Sequence, residues 1–205
     1  HGRRFGTTTA LSGSDHENNQ QYALAYDFAW AGWEQGNVQL FHNDSSTKQL
    51  THETRAIAVP PVALEREFNY DQEHDGFDFS LFRTRQWGGA EHRIGLGLQW
   101  LQTDTTELRD GLQTNLLTGS SSNVILGEAL PVRDFPNSRS RELGLFLQDE
   151  ISLEGGNWEL IPAIRWDDYQ LDPRPDEIWL EDFPDMEVAS VSENDFTPRL
   201  GVVYH

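Results

Sequence analysis

The stretch that most constrains this chain is residues 141–169, RELGLFLQDEISLEGGNWELIPAIRWDDY. Leu143, Leu145, Leu147, Ile151 and Leu153 alternate along its first arm; Trp158, Leu160, Pro162, Ile164 and Trp166 alternate along its second. Strict alternation gathers apolar side chains on one face of an extended strand. Gly155 and Gly156 suit the positive φ of a two-residue hairpin turn. The pattern therefore predicts a hairpin pairing Leu153 with Trp158, Ile151 with Leu160, Leu147 with Ile164 and Leu145 with Trp166. The same register sets Phe146 against Arg165, Gly144 against Asp167 and Glu142 against Tyr169. Each arm is about a dozen residues, roughly twice a soluble strand and enough for a tilted membrane strand of about 9–11 residues.

The same period recurs elsewhere. In residues 21–31, Tyr22, Leu24, Tyr26, Phe28 and Trp30 share one side, while Ala23, Ala25, Asp27 and Ala29 share the other. Aromatics at both ends of such a strand suit two interfacial girdles. Gly32 and Gly36 lead to a second strand near residues 37–44, with Val38, Leu40 and His42 on its apolar side. Residues 64–81 read as one irregular strand, or as two broken near Gly76. A Gly88-Gly89 turn then pairs Leu81 with Leu96, Phe79 with Leu98 and Phe77 with Trp100. The returning strand turns Ile94, Leu96, Leu98 and Trp100 to one face and Arg93, Gly95, Gly97 and Gln99 to the other. Large apolar groups outside and small or polar ones inside invert the pattern of a soluble barrel. On that reading Glu142, Gln148, Glu150, Arg165 and Asp167 face a lumen.

Residues 1–19, 45–63, 103–140 and 171–194 lack this period and read as loops, with 112–117 and 124–130 folding back as short local elements. A last strand carries Phe196, Pro198, Leu200, Val202 and Tyr204 on one side. Short turns thus alternate with long loops, the asymmetry of an outer-membrane barrel. The fold class is all-β: an antiparallel up-and-down meander of long strands. A soluble sandwich gives shorter strands with moderate loops at both ends, and a helical reading fails on the period of two.

The formal net charge of -19 argues against nucleic acid, whose phosphates require a basic surface. No cysteine is present, which removes disulfides and thiolate metal sites. No apolar run approaches the roughly 18 residues of a membrane helix, a fact that leaves barrel strands untouched. The chain begins at His1 and stops within the strand-like LGVVYH, so residues 1–205 are expected to be one partial barrel from a longer protein.

Three segments carry a family resemblance. LFLQDEISL, residues 145–153, resembles a strand with a Gln-Asp-Glu core. LIPAIRWDDY, residues 160–169, resembles a Pro-Gly-Leu-Arg-Tyr-Asp strand, with Ala163 for the usual Gly and Trp166 for the usual Tyr. FTPRLGVVY, residues 196–204, resembles a Pro-Lys-Leu-Gly-Leu-Tyr strand. Together they resemble the barrel of TonB-dependent outer-membrane receptors, closest to the haem/haemoglobin receptor group. The resemblance implies part of a 22-stranded transmembrane barrel in a Gram-negative outer membrane, in contact with its lipid. It also implies a plug domain, outside this chain, that couples to the TonB complex. The implied cargo is haem or haemoglobin, with a ferric siderophore as the alternative, and no intrinsic cofactor is implied. The haem group's Phe-Arg-Ala-Pro and Asn-Pro-Asn-Leu signature is missing here.

A haem receptor would use an external-loop histidine as axial ligand, which singles out His16 and His52 in candidate loops and, near a strand end, His42; the ordinary reading of each is a solvated surface histidine. The acidic segment holds Asp176, Glu177, Glu181, Asp182 and Asp185, whose oxygens suit calcium, although no EF-hand spacing is present. Asp167 and Asp168 are adjacent, so they face opposite sides of a strand. No nucleophile motif or phosphate loop appears, and no enzyme is expected. The rival readings are a soluble β-sandwich carbohydrate-binding module and a passive porin-like channel.

Overall fold

Alternation over these lengths leaves each strand one dry face, and backbone pairing with neighbouring strands satisfies the polar groups of the inner ones. The computed structural model describes residues 6–153, 155 and 157–205. Arg3, Arg4, Phe5 and the Gly156 half of one predicted turn lie outside the described residues. The elements in order are β1 (Ala10–Trp30), β2 (Trp33–Arg55), β3 (Val62–Trp87), β4 (Ala90–Asn115), β5 (Ser121–Ser122), β6 (Val124–Ile125), β7 (Glu128–Ala129), β8 (Asn137–Ser152), β9 (Trp158–Arg174), α1 (Glu177–Asp182) and β10 (Val191–Tyr204). The long strands form one antiparallel meander in the order β1, β2, β3, β4, β8, β9, β10, and β5 adds to the far end of β4.

The pairings expected from the sequence are present: Leu81 faces Leu96, Phe79 faces Leu98 and Phe77 faces Trp100. Leu147 faces Ile164 and Leu145 faces Trp166. The Leu153 N–H donates to the Trp158 carbonyl at 3.0 Å, closing the third hairpin. Gly88 and Gly89, with φ of 62° and 80°, form the turn predicted there.

Across the sheet these registers assemble apolar rows. Tyr26, Val38, Phe79, Leu98, Leu145, Trp166 and Phe196 stand side by side. They are flanked by the Leu24, Leu40, Phe77, Trp100 and Leu143 row. Leu24 is 69% exposed and Leu200 71% exposed, so this face has no protein cover. From Leu143 to Leu153 a strand rises about 33 Å, or about 25 Å across a bilayer at a tilt of about 40°. That matches the hydrocarbon band of a barrel.

The structure corrects the loops. Residues 10–19, 45–55, 103–115, 137–140, 171–174 and 191–194 are strand, not loop. The long connections shrink to residues 56–61, 116–136 and 175–190, the last containing α1. Above the apolar band both faces of a strand meet water, so pairing continues while the alternation that reveals it disappears. The segment around Gly76 is one unbroken strand, β3. A Cβ at Gly76 would collide with the Phe41 ring, so glycine there admits an aromatic ring rather than a break.

Candidate ligand site

On the face opposite the apolar band, at the long-loop end, residues 116–136 turn inward over β3 and β4. Leu126 and Gly127, with φ of 54° and 96°, make a tight turn between β6 and β7. Ile125, Leu130 and Val132 then pack on Val62 and Leu64, all of them buried. Fully burying a side chain of this kind contributes about 1.5–3 kcal/mol, enough to hold a short hairpin against the wall. Arg109 and Val132 exchange two backbone hydrogen bonds of 2.9 Å. A cup of about 440 Å³ lies beside this hairpin, with Arg55, Arg66, Arg109, Phe68 and Leu130 among its walls.

The cup is built on buried charge. Glu53, 4% exposed, accepts from Arg55 Nε at 2.7 Å, Arg66 at 3.1 Å and the Thr8 hydroxyl at 2.5 Å. The Arg55 hydrogen bond, backed by Thr8 and the charge of Arg66, holds its carboxyl down at about 2. Arg109 reaches Glu128 at 2.6 Å and Asp134 at 3.0 Å. Behind it Glu107 is 1% exposed; its Oε2 accepts from the Asp134 N–H at 2.9 Å, while Oε1 is unpartnered. Burial pushes the Glu107 carboxyl up.

A second connection is tied to the first. Arg133 donates to the Glu107 carbonyl and grips both oxygens of Asp176. Asp176 caps α1 by accepting from the Trp179 N–H at 3.1 Å, and Trp179 is buried. The Arg133 hydrogen bond holds the Asp176 carboxyl below its ordinary range.

The residues singled out from sequence fall as follows. His16 and His52 lie within β1 and β2, not in loops. Their register places them on the same face as the apolar band, away from the cup, and His52 sits 3.2 Å from Glu65. Asp176 is taken up by Arg133; Glu177, Glu181 and Asp182 lie on α1, and Asp185 follows it. Among the described residues, these carboxylates do not gather into a group with metal-binding spacing. Glu142, Gln148, Glu150, Arg165 and Asp167 share the polar face. There Arg165 bonds Asp167 at 2.7 Å and Gln99 at 2.7 Å, and Arg93 meets Glu150 at 2.9 Å. Sequence reasoning missed Glu53, Arg55, Arg66, Arg109 and Arg133. The available signal was the scarcity of cations, 15 against 34 acidic residues, which makes any cluster of arginines informative.

Three comparisons bear on this architecture. The ferric citrate transporter FecA in its unliganded form superposes with a TM-score of 0.58 at 21% identity, over 93% of this chain and 25% of that one. BauA, the ferric preacinetobactin receptor from Acinetobacter baumannii, gives a TM-score of 0.60 at 11% identity, over 93% and 28%. The siderophore receptor PiuA from Acinetobacter baumannii gives 0.53 at 11% identity, over 92% and 29%. At these identities the likeness is one of fold, and the chain spans about a quarter of each of these proteins. A sequence comparison with curated proteins finds no match. The family model for the TonB dependent receptor-like β-barrel matches residues 1–205. The chain therefore belongs to the TonB-dependent receptor β-barrel family, as an antiparallel segment of a Gram-negative outer-membrane barrel.

Proposed function

We propose that this segment belongs to a receptor that takes up an anionic ferric chelate, bound first at the cup between β2, β3, β4 and the hairpin of β6 and β7. The observation that carries the reading is the convergence of Arg55, Arg66 and Arg109 on one polar wall in a chain of net charge -19. A guanidinium offers five donors in a planar fork suited to carboxylates, so it serves its wall and an incoming anion together. Glu128 and Asp134, about half exposed, both pair with Arg109. A carboxylate of the chelate takes the place of one of them, exchanging one ion pair for another. The polar face with Glu142, Gln148, Glu150, Arg165 and Asp167 then lines the lumen. Transport draws on TonB through a plug supplied by the rest of the receptor.

Ferric chelates named for the similar structures, citrate and preacinetobactin, support this cargo class over haem. His16 and His52, the histidines singled out as candidate haem ligands, lie on the face opposite the cup, which favours a chelate held by arginines there. The test is ferric citrate binding to the full-length receptor in detergent, followed by tryptophan fluorescence. Arg109→Gln and Arg66→Gln each weaken binding tenfold or more, and Glu128→Gln strengthens it. Affinity unchanged in both arginine variants contradicts the proposal.

A further inference from the structure

The outer wall carries a second constellation that the uptake reading does not use. One register row above the apolar band, Tyr22, His42, Asp75, Gln102 and Arg141 stand side by side. The next row holds Asp44, Glu73 and Asp104. His42 and Asp75 are directly opposed across β2 and β3, and Glu73 lies two residues along β3 on the same face. His42 Nδ1 is 2.9 Å from Asp75 Oδ1 and 4.0 Å from Glu73 Oε1. Among the described residues, these three donors are the group that comes within 4.8 Å of one another.

Three other histidines among the described residues meet one carboxylate each: His52 with Glu65 at 3.2 Å, His92 with Asp149 at 2.6 Å, His205 with Glu159 at 3.5 Å. At His42 two carboxylates converge on one imidazole nitrogen. For metal bonds of about 2.1 Å, neighbouring donors lie about 3.0–3.4 Å apart. The His42 to Asp75 separation, a hydrogen bond of 2.9 Å, lies at the edge of that range. The Glu73 carboxylate, 55% exposed, needs a shift of under about 1 Å to reach the same range. One imidazole with two carboxylates is a donor set for a first-row divalent ion such as zinc rather than for magnesium.

We propose that His42, Glu73 and Asp75 form a divalent-cation site on the outer wall of the barrel, at the boundary between the apolar band and the long-loop side. Nδ1 and two carboxylate oxygens supply three ligands. Oxygen donors from water or headgroups complete the shell, because the site opens outward rather than into the protein. Its charge logic is local: of Asp44, Glu73, Asp75 and Asp104 on this patch of the wall, Asp104 already pairs with Arg139 at 2.7 Å and Arg174 at 3.5 Å, and a dication would balance the Glu73 and Asp75 carboxylates that converge on His42.

Cobalt(II) added to the full-length receptor in detergent tests this through the d–d absorption that nitrogen-and-oxygen ligation produces. The expected result is a saturable band that loses one equivalent in His42→Gln and weakens at least tenfold in Asp75→Asn. Glu73→Gln, at an exposed position, provides a second variant should either of those fail to assemble, and the same weakening is expected. His52→Gln, which alters a one-carboxylate pair on the same wall, leaves the band unchanged. Cobalt absorption that is identical in the parent, His42→Gln and Glu73→Gln overturns the assignment.

Discussion

Arg133 holds Asp176 through contacts of 2.6, 2.9 and 3.0 Å, joining two long connections that the sheet itself leaves apart. The same carboxylate caps α1, so one ion pair fixes both the helix start and its docking. The Arg133 side chain is 11% exposed and that of Asp176 36%, so the guanidinium side of the pair is the more shielded from solvent.

Arg133→Ala is therefore expected to release α1 while leaving the strands paired. Hydrogen bonds to charged groups contribute about 1.5–3 kcal/mol, so the local opening of residues 175–190 becomes at least about tenfold more frequent. Hydrogen exchange at the Trp179 amide reads this directly. Protection unchanged at Trp179 would show that the Arg133–Asp176 pair does not hold α1 in place.

Acid has a defined effect on the wall of the cup. Glu53 titrates at about 2 in the folded state against an ordinary 4.5, so its contribution is complete above the unfolded value. It is lost as pH falls from about 4.5 through 2, and the shift corresponds to about 3 kcal/mol. Glu107 works in the opposite sense: its raised value favours the protonated form, so its destabilisation appears as pH rises above the ordinary value. Glu53→Gln should flatten the acid loss of protection in β2 and β3, and Glu107→Gln should raise protection in β4 at pH 7. Protection at pH 3 equal to that at pH 6 in the parent would contradict the Glu53 account.

Gly76 and Phe41 are predicted to be energetically coupled. A side chain at position 76 meets the Phe41 ring, and overpacking of this kind costs about 1–3 kcal/mol. Gly76→Val should lower the urea midpoint of the full-length receptor. Adding Phe41→Ala should recover part of that loss, giving a double-mutant coupling above about 0.5 kcal/mol. Simple additivity of the two changes would remove the steric explanation.

The legible parts of this fold were those with one dry face. The pairing of Leu145 with Trp166, and of Phe79 with Leu98, follows from alternation that a one-residue slip would invert. His16 and His52 were illegible for the complementary reason: water on both sides of upper β1 and β2 erases the period, and paired strand reads as loop. The cup was illegible for a different one. Glu53, Arg66 and Arg109 are separated by long stretches of chain and come together only through cross-strand register. Arg133 and Asp176 lie 43 residues apart with no motif between them.

In the assembled barrel the apolar face meets lipid and the opposite face does not. This chain has no cysteine, so single nitroxide labels can be placed along β8, one position at a time from 143 to 148, in a full-length receptor in bilayers whose cysteines elsewhere are replaced by serine. High oxygen and low nickel-chelate accessibility are expected at Leu143, Leu145 and Leu147, and the reverse at Gly144, Phe146 and Gln148. Accessibility without that period of two, or nickel access at Leu145 and Leu147, would contradict it.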